Sequence, residues 1–217
     1  MEMCDACYAA LPWLVPPLCV RCGEDFMVPI PEDARQFDDR TCARCRKSSP
    51  AYSFARSALK YEGVARAAVR ALKFGGRKAL GGSLADLMEK SMRRFPELAA
   101  GVQEVVPVPL HAKREQERGY NQSAVLARNL AERLGLPYAD GAVARLRQTP
   151  PQVGLDRLAR KRNMEGAFEV TDVPRVEGKV ILLVDDVMTT GATVSACAAA
   201  LKAAGAGEVR VVTLARG

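Results

Sequence analysis

Two groups of residues in this chain have the types and spacing to do chemistry. Six of its seven cysteines fall before residue 46 as three C-x-x-C pairs, Cys4 and Cys7, Cys19 and Cys22, Cys42 and Cys45. Cysteines two residues apart present both thiolates to one tetrahedral ion, and two such pairs complete a Cys4 zinc site. Cys22 and Cys42 are separated by 19 residues, which fits the C-x2-C-x15-20-C-x2-C zinc pattern. The first choice of ligands is therefore Cys19, Cys22, Cys42 and Cys45. Cys4 and Cys7, 11 residues before Cys19, stand as an alternative pair. Disulfides are the weaker reading without a secretion signal, and a redox role is disfavoured because no βαβ pattern surrounds the pairs.

The second group lies in residues 179–193, KVILLVDDVMTTGAT. Five apolar residues lead into Asp185 and Asp186, and the chain then turns through Thr189, Thr190, Gly191, Ala192 and Thr193. Such a strand, apolar on both faces, is central in a parallel sheet, and ligands bind beyond the carboxyl ends of parallel strands. A following helix N-terminus offers free N–H groups to a phosphate, and Gly191 lets the backbone approach it. The three threonine hydroxyls add donors. Adjacent carboxylates repel one another and would not hold a phosphate, so they are suited to neighbouring hydroxyls or a divalent metal. A ribose 5-phosphate satisfies both halves. The stretch is neither G-x-x-x-x-G-K-[ST] nor G-x-G-x-x-G, which argues against P-loop and dinucleotide-binding readings.

The elements that must position these residues follow from periodicity and punctuation. Residues 51–63 read as a strand closed at Gly63, and residues 64–74 as a helix with Val64, Ala68 and Leu72 on one side. A second helix runs from Ser83, its expected cap, to about Phe95. EVVPVPL, at residues 104–110, is a short buried strand whose prolines take the chain out of the sheet. A helix capped by Ser123 stops at Gly135. The last part is a strand over 179–184, a helix over 193–204, a stop at Gly205 and a strand over 208–214. Alternating strands and helices predict an α/β fold with a parallel sheet covered on both faces. Between them, residues 146–163 combine prolines with Arg157, Arg160, Lys161 and Arg162, the composition of a lid.

At 217 residues and 48% hydrophobic content, the chain suits one α/β domain plus a small module. We divide it into a cysteine module, residues 1–50, and a larger domain, residues 51–217. No apolar run approaches the roughly 20 residues that span a bilayer, and the N-terminus lacks a basic segment followed by an apolar one. The expectation is a cytoplasmic protein without membrane insertion. Lys plus Arg is 32 against 25 for Asp plus Glu, a formal charge of +7 that favours anionic partners. Residues 56–94 carry ten basic and three acidic groups, whereas residues 1–55 carry six and eight, so the positive field belongs to the larger domain.

VILLVDDVMTTGAT resembles the phosphoribosyl pyrophosphate (PRPP) binding motif of type I phosphoribosyltransferases. More of the chain is similar to one branch, the competence protein F (ComF) family: the C-x-x-C pairs, ALKFGG at Ala71, VPVPL at Val106, RGYNQS at Arg118, Q-x-x-L at Gln152, R-x-x-N at Arg160 and GAF at Gly166. The resemblance implies a type I phosphoribosyltransferase fold with a small N-terminal Cys4 zinc module. It implies that Asp185 and Asp186 hold the ribose hydroxyls and that Thr189 to Thr193 cradle the 5-phosphate. It further implies that residues 110–121 form the pyrophosphate loop with Arg118 in contact, and that Gln152, Arg160 and Asn163 belong to a flexible loop over the site. The implied cofactors are structural zinc and PRPP-bound magnesium. The implied activity is nucleotide binding and phosphoribosyl transfer from PRPP to an unidentified acceptor, in the service of DNA uptake and natural transformation. Single-stranded DNA and competence machinery such as a DNA-translocating helicase are the implied partners. The alternatives are a single-stranded DNA-binding module without turnover and a nucleotide-salvage phosphoribosyltransferase. Lys73 matches a family position but reads equally as a solvated helix lysine. His111 reads as a loop residue, and Cys197 as a small buried apolar one.

Overall fold

The computed structural model describes residues 3–26, 41–147 and 166–217. Its centre is a four-stranded sheet in the order β1-β6-β5-β2, with every neighbouring pair parallel. The strands are β1 (Phe54–Lys60), β2 (Glu104–Pro107), β5 (Val180–Met188) and β6 (Glu208–Arg216). A separate antiparallel pair is formed by β3 (Val143–Arg145) and β4 (Phe168–Val170).

Alternation along β5 and β6 divides the core in two. Ile181, Leu183, Val209 and Val211 face one cluster, and Leu182, Val184, Val212 and Leu214 face the other. A strand buried on both faces favours apolar residues at successive positions, which is why residues 180–184 of β5 read as a continuous run. Against one face pack the helices α3 (Gly63–Phe74), α4 (Gly81–Met92) and α6 (Gln122–Leu134). Against the other pack α7 (Ala192–Ala203), β3 and β4, and the cysteine segment. Short helices α1 (Asp5–Ala9) and α2 (Ala43–Lys47) belong to that segment, and α5 (Ala112–Arg118) follows β2.

Several boundaries differ from the sequence reading, each for a packing reason. The buried stripe of α3 is Ala65, Val69 and Leu72, rotated from the expected Val64, Ala68 and Leu72. Helix α4 begins at Gly81 without a side-chain cap, ahead of Ser83. Gly81 serves close approach to α6, because a Cβ there would lie 2.4 Å from Val125 Cγ1. Ser123 is not the cap of α6; Asn121 is, its side chain accepting from Ser123 N at 2.9 Å. Residues 110–121, read as a loop, contain α5, whose N-cap His111 accepts from Lys113 N at 3.3 Å and whose end is Gly119 in the left-handed region. Strand β5 continues to Met188, four residues beyond the expected stop, because β6 pairs with it through Met188 and Arg216.

The cysteine segment lies along the β1 edge. Leu14 N donates to Ala58 O at 3.0 Å and Lys60 N donates to Pro12 O at 2.8 Å, so residues 12–14 cover an otherwise open strand. Ala55 N donates to Arg21 O at 2.7 Å, and a Cβ on Gly23 would meet Ala55 O at 2.6 Å, so only glycine fits. Among the described residues, no helix is long and apolar enough to cross a membrane.

Candidate functional site

Sheet pairing places the acids. Strand β2 pairs with β5 only as far as Pro107 opposite Val184, so β2 has left the sheet where Asp185 begins. Asp185 and Asp186 thus sit inside β5 but past the carboxyl end of its neighbour, at a step in the sheet. The N-terminus of α6 fills that step. Ser123, fully buried, donates its hydroxyl to Asp185 Oδ1 at 2.7 Å, and Gln122 Nε2 donates to Asp186 Oδ1 at 3.2 Å. Losing the capping role frees Ser123 for this contact. Lys73, near the end of α3, meets Asp186 Oδ2 at 2.6 Å. Arg118 donates to Gln122 Oε1, completing a chain from Arg118 through Gln122 and Asp186 to Lys73.

These groups line a cleft of about 210 Å³ together with Arg114, Arg145 and the 108–110 turn. Buried groups of both charge signs meet in it. Asp185 is only 7% exposed, and burial, followed by the charge of Asp186, pushes its carboxyl up to about 7. Burial likewise works against the positive charges of Arg118 and Arg145 and lowers both. A ligand bearing both hydroxyls and negative charge would compensate each of these groups. Asp186 is engaged by Lys73 and Gln122, so the two carboxylates do not by themselves form a dedicated cation cage.

Beyond the acids the chain forms a small hollow of about 80 Å³, bounded by Asp185, Thr189, Gly191, Ala192 and Thr193. Gly191 is the N-cap of α7 at φ +80°, with no side chain to satisfy the first turn of the helix. Ala192 N donates to Thr190 Oγ1 at 3.4 Å, and the start of α7 borders the hollow, the kind of helix end that attracts an oxyanion. Asp185 and Thr193 border both hollow and cleft, so the two lie side by side.

The cysteines form the second centre. The sulfurs of Cys19, Cys22, Cys42 and Cys45 all lie within 4.8 Å of one another, and Cys22 Sγ is 3.7 Å from Cys42 Sγ. Bonds of about 2.3 Å to a tetrahedral zinc require sulfur separations of about 3.8 Å. Backbone N–H groups of Cys42 (3.2 Å) and Cys22 (3.5 Å) point at Cys19 Sγ. Hydrogen bonding from Cys22 holds Cys19 down at about 4, while burial pushes Cys45 up to about 12. The cluster can hold a metal, and its donor set fits zinc. Cys4 and Cys7 lie apart from it, at the first turn of α1. Two arginines tie the cluster to the other centre. Arg216, at the end of β6, donates to Cys22 O at 2.8 Å and to Cys22 Sγ at 3.5 Å. Arg44 pairs with Glu24 and donates to Thr189 O at 3.4 Å.

Sequence reasoning singles out Asp185, Asp186, Arg118 and the 189–193 turn; of these, Asp185, Asp186, Arg118, Thr189, Gly191, Ala192 and Thr193 border the hollow or the cleft, and Thr190 does not. Gln152, Arg160 and Asn163 lie outside the described residues. Gln122, Arg114 and Arg145 have no role in the sequence reading and Ser123 only that of a helix cap, although RGYNQS marks Gln122 and Ser123. Lys73, left open, meets Asp186. Cys197 is fully buried in α7, and burial raises its thiol.

Residues 121–217 match the family described as phosphoribosyl transferase domain. The chain is 33% identical over 217 residues to the DNA utilization protein YhgH of Salmonella typhimurium, covering 99% of this chain and 90% of that one. It is 29% identical over 210 residues to competence protein F of Haemophilus influenzae, covering 92% and 85%. A glutamine phosphoribosylpyrophosphate amidotransferase structure from B. subtilis aligns at a TM-score of 0.43 and 23% identity, over 67% of this chain and 30% of that one.

Proposed function

From the premise that this chain belongs to the family of competence protein F and the DNA utilization protein YhgH, with a phosphoribosyl transferase domain, we propose that it binds PRPP. The observation that carries this reading is the adjacency of three chemistries: a paired acid step, a helix N-terminus behind a glycine, and a basic cleft. The ribose hydroxyls lie against Asp185 and Asp186, and the 5-phosphate lies among Thr189, Thr190, Gly191, Ala192 and Thr193. The pyrophosphate lies in the cleft against Arg118, with Arg114 and Lys73 beside it. The two-part organisation, residues 1–50 and 51–217, and the loop carrying Gln152, Arg160 and Asn163 go with the same reading.

Transfer then consists of displacement at the anomeric carbon. The ring–pyrophosphate bond breaks as an acceptor bond forms, and negative charge grows on the departing pyrophosphate. Arg118 and Lys73 are positioned to stabilise that charge by electrostatics. Magnesium carried by PRPP would supply further charge neutralisation. Asp186 orients Lys73, and Ser123 orients Asp185. Zinc held by Cys19, Cys22, Cys42 and Cys45 would hold the module against the loop through Arg44 and Arg216. The names of the relatives, DNA utilization protein and competence protein, support a role in DNA uptake. Single-stranded DNA and a DNA-translocating helicase as partners, and the cytoplasm as the place of action, are part of the same proposal.

Pyrophosphate release from PRPP and magnesium, measured across a panel of bases and amines, tests the transferase half. The expected result is release above the no-acceptor background for at least one acceptor; background rates throughout would leave a binding protein without turnover.

A further inference from the structure

The four-cysteine cluster is not sealed. Cys22 and Cys45 line a hollow of about 390 Å³ between the cysteine segment and α7. The exposed residues Ser48 and Ser49 line it too, so it reaches the surface. Cys19 and Cys42 are not among its walls, and Ala192, Ala196 and Ala199 supply the side formed by α7. A small polar molecule in this hollow meets two of the four sulfurs.

Charge around those sulfurs bears on their reactivity. Four thiolates outnumber the charge of one divalent ion, so the metal-loaded cluster is an anion. Arg216, only 6% exposed, lies against it, donating to Cys22 O at 2.8 Å and to Cys22 Sγ at 3.5 Å, with Glu24 Oε2 at 4.0 Å. A sulfur beside a fixed cation and within reach of solvent is in the setting where cysteine is oxidised. Cys42 Sγ, 3.7 Å from Cys22 Sγ, has a short approach to the sulfur separation of about 2 Å in a disulfide.

We propose that the cluster is an oxidant-sensitive modification site: a hydroperoxide entering through this hollow oxidises Cys22 and Cys42 to a disulfide, expels the metal and loosens the turn that follows β5. The Cys22 sulfur attacks the peroxide and the O–O bond breaks. One oxygen stays on sulfur as a sulfenic acid, and the other takes a proton and leaves as water or alcohol. The Cys42 sulfur then attacks the sulfenic sulfur, the S–O bond breaks, and the hydroxide leaves as water with a second proton. The two thiolates give up an electron pair, the peroxide accepts it, and the divalent ion departs from its remaining ligands.

Loosening of the turn follows from the same charges. Arg216 is paired with Met188 in the sheet, immediately before Thr189, and Gly217 N donates to Met188 O at 3.1 Å. Oxidation removes the thiolate charge from beside a buried guanidinium, which is costly unless the arginine moves. Glu24, beside Arg216, also pairs with Arg44, which donates to Thr189 O at 3.4 Å. Both arginines therefore transmit the loss to residues 188 and 189. Oxidation at the cysteines does not depend on what the turn binds.

The test treats the zinc-loaded full chain with hydrogen peroxide, following zinc with a chromogenic chelator, thiols by titration and disulfides by peptide mass. The expected result is release of about one zinc per chain, a Cys22–Cys42 disulfide as the first product, and recovery with dithiothreitol and zinc. Ala199→Leu and, separately, Ala196→Leu fill the hollow from its α7 side. Each should keep its zinc before treatment and release it severalfold more slowly. Amide hydrogen exchange of residues 188–193 should rise on oxidation. Zinc retained under peroxide, or a Cys4–Cys7 disulfide formed with zinc still bound, would overturn the site. Unchanged release rates in both leucine variants would overturn the hollow as the route, and unchanged exchange would overturn the link to the turn.

Discussion

Asp185 shows at a single residue how the fold prepares the site. Its carboxyl is buried beside Asp186 and is held up at about 7, against an ordinary value near 3.8. Between about pH 4 and pH 7 the unfolded chain has released this proton while the folded chain keeps it. Stability therefore falls as pH rises through that window, and the loss is complete above the folded value. Asp185→Asn keeps an acceptor for Ser123 and removes the titration. The substituted chain should gain stability relative to the original between pH 4.5 and pH 7.5, by an amount on the order of 2–4 kcal/mol. Thermal unfolding at the two pH values measures it; a stability difference independent of pH would contradict the account of Asp185. The residue scale also shows where sequence reading reached its limit. Paired acids and a T-T-G-x-T turn are local and legible. Ser123 looked like a helix cap because serine before an apolar helix usually is one. Its true partner, Asp185, is 62 residues away, and only the fold reveals that Asn121 takes the cap.

At the scale of elements, the strand β5, the turn and α7 were readable because apolar continuity and glycine punctuation are themselves physical requirements of a central strand and a phosphate-facing helix. The end of β5 was not, since it depends on pairing with β6 to Arg216. Helix α5 was missed for a related reason: its seven residues carry no buried side chain, so no apolar period announces it. The cysteine segment behaves differently from either. With short helices and few buried apolar groups of its own, it depends on what the four sulfurs hold, and metal-binding free energy in such a unit is folding free energy. Cys19→Ser with Cys22→Ser should remove about one zinc per chain and expose the segment to protease, while the sheet persists. Metal analysis and limited proteolysis read this directly. Unchanged metal content would move the site to other cysteines.

For the whole molecule, the formal charge of +7 and the basic cleft allow two kinds of anionic partner, and they differ in response to salt. A single-stranded polyanion that contacts several phosphates should lose affinity steeply as salt rises, with a log–log slope near −0.7 per phosphate contacted. PRPP, confined to one site, should respond less steeply. Binding of a dT oligonucleotide between 50 and 200 mM salt distinguishes them; a flat dependence would remove the polyanion reading. The measurement that bears most directly on the central claim is calorimetric titration of PRPP with magnesium into the zinc-loaded chain, beside the variant carrying Asp185→Asn and Asp186→Asn. The account predicts saturable binding by the unaltered chain and its loss in the folded double variant. Equal affinity in the two would contradict the assignment of PRPP to the acids of β5.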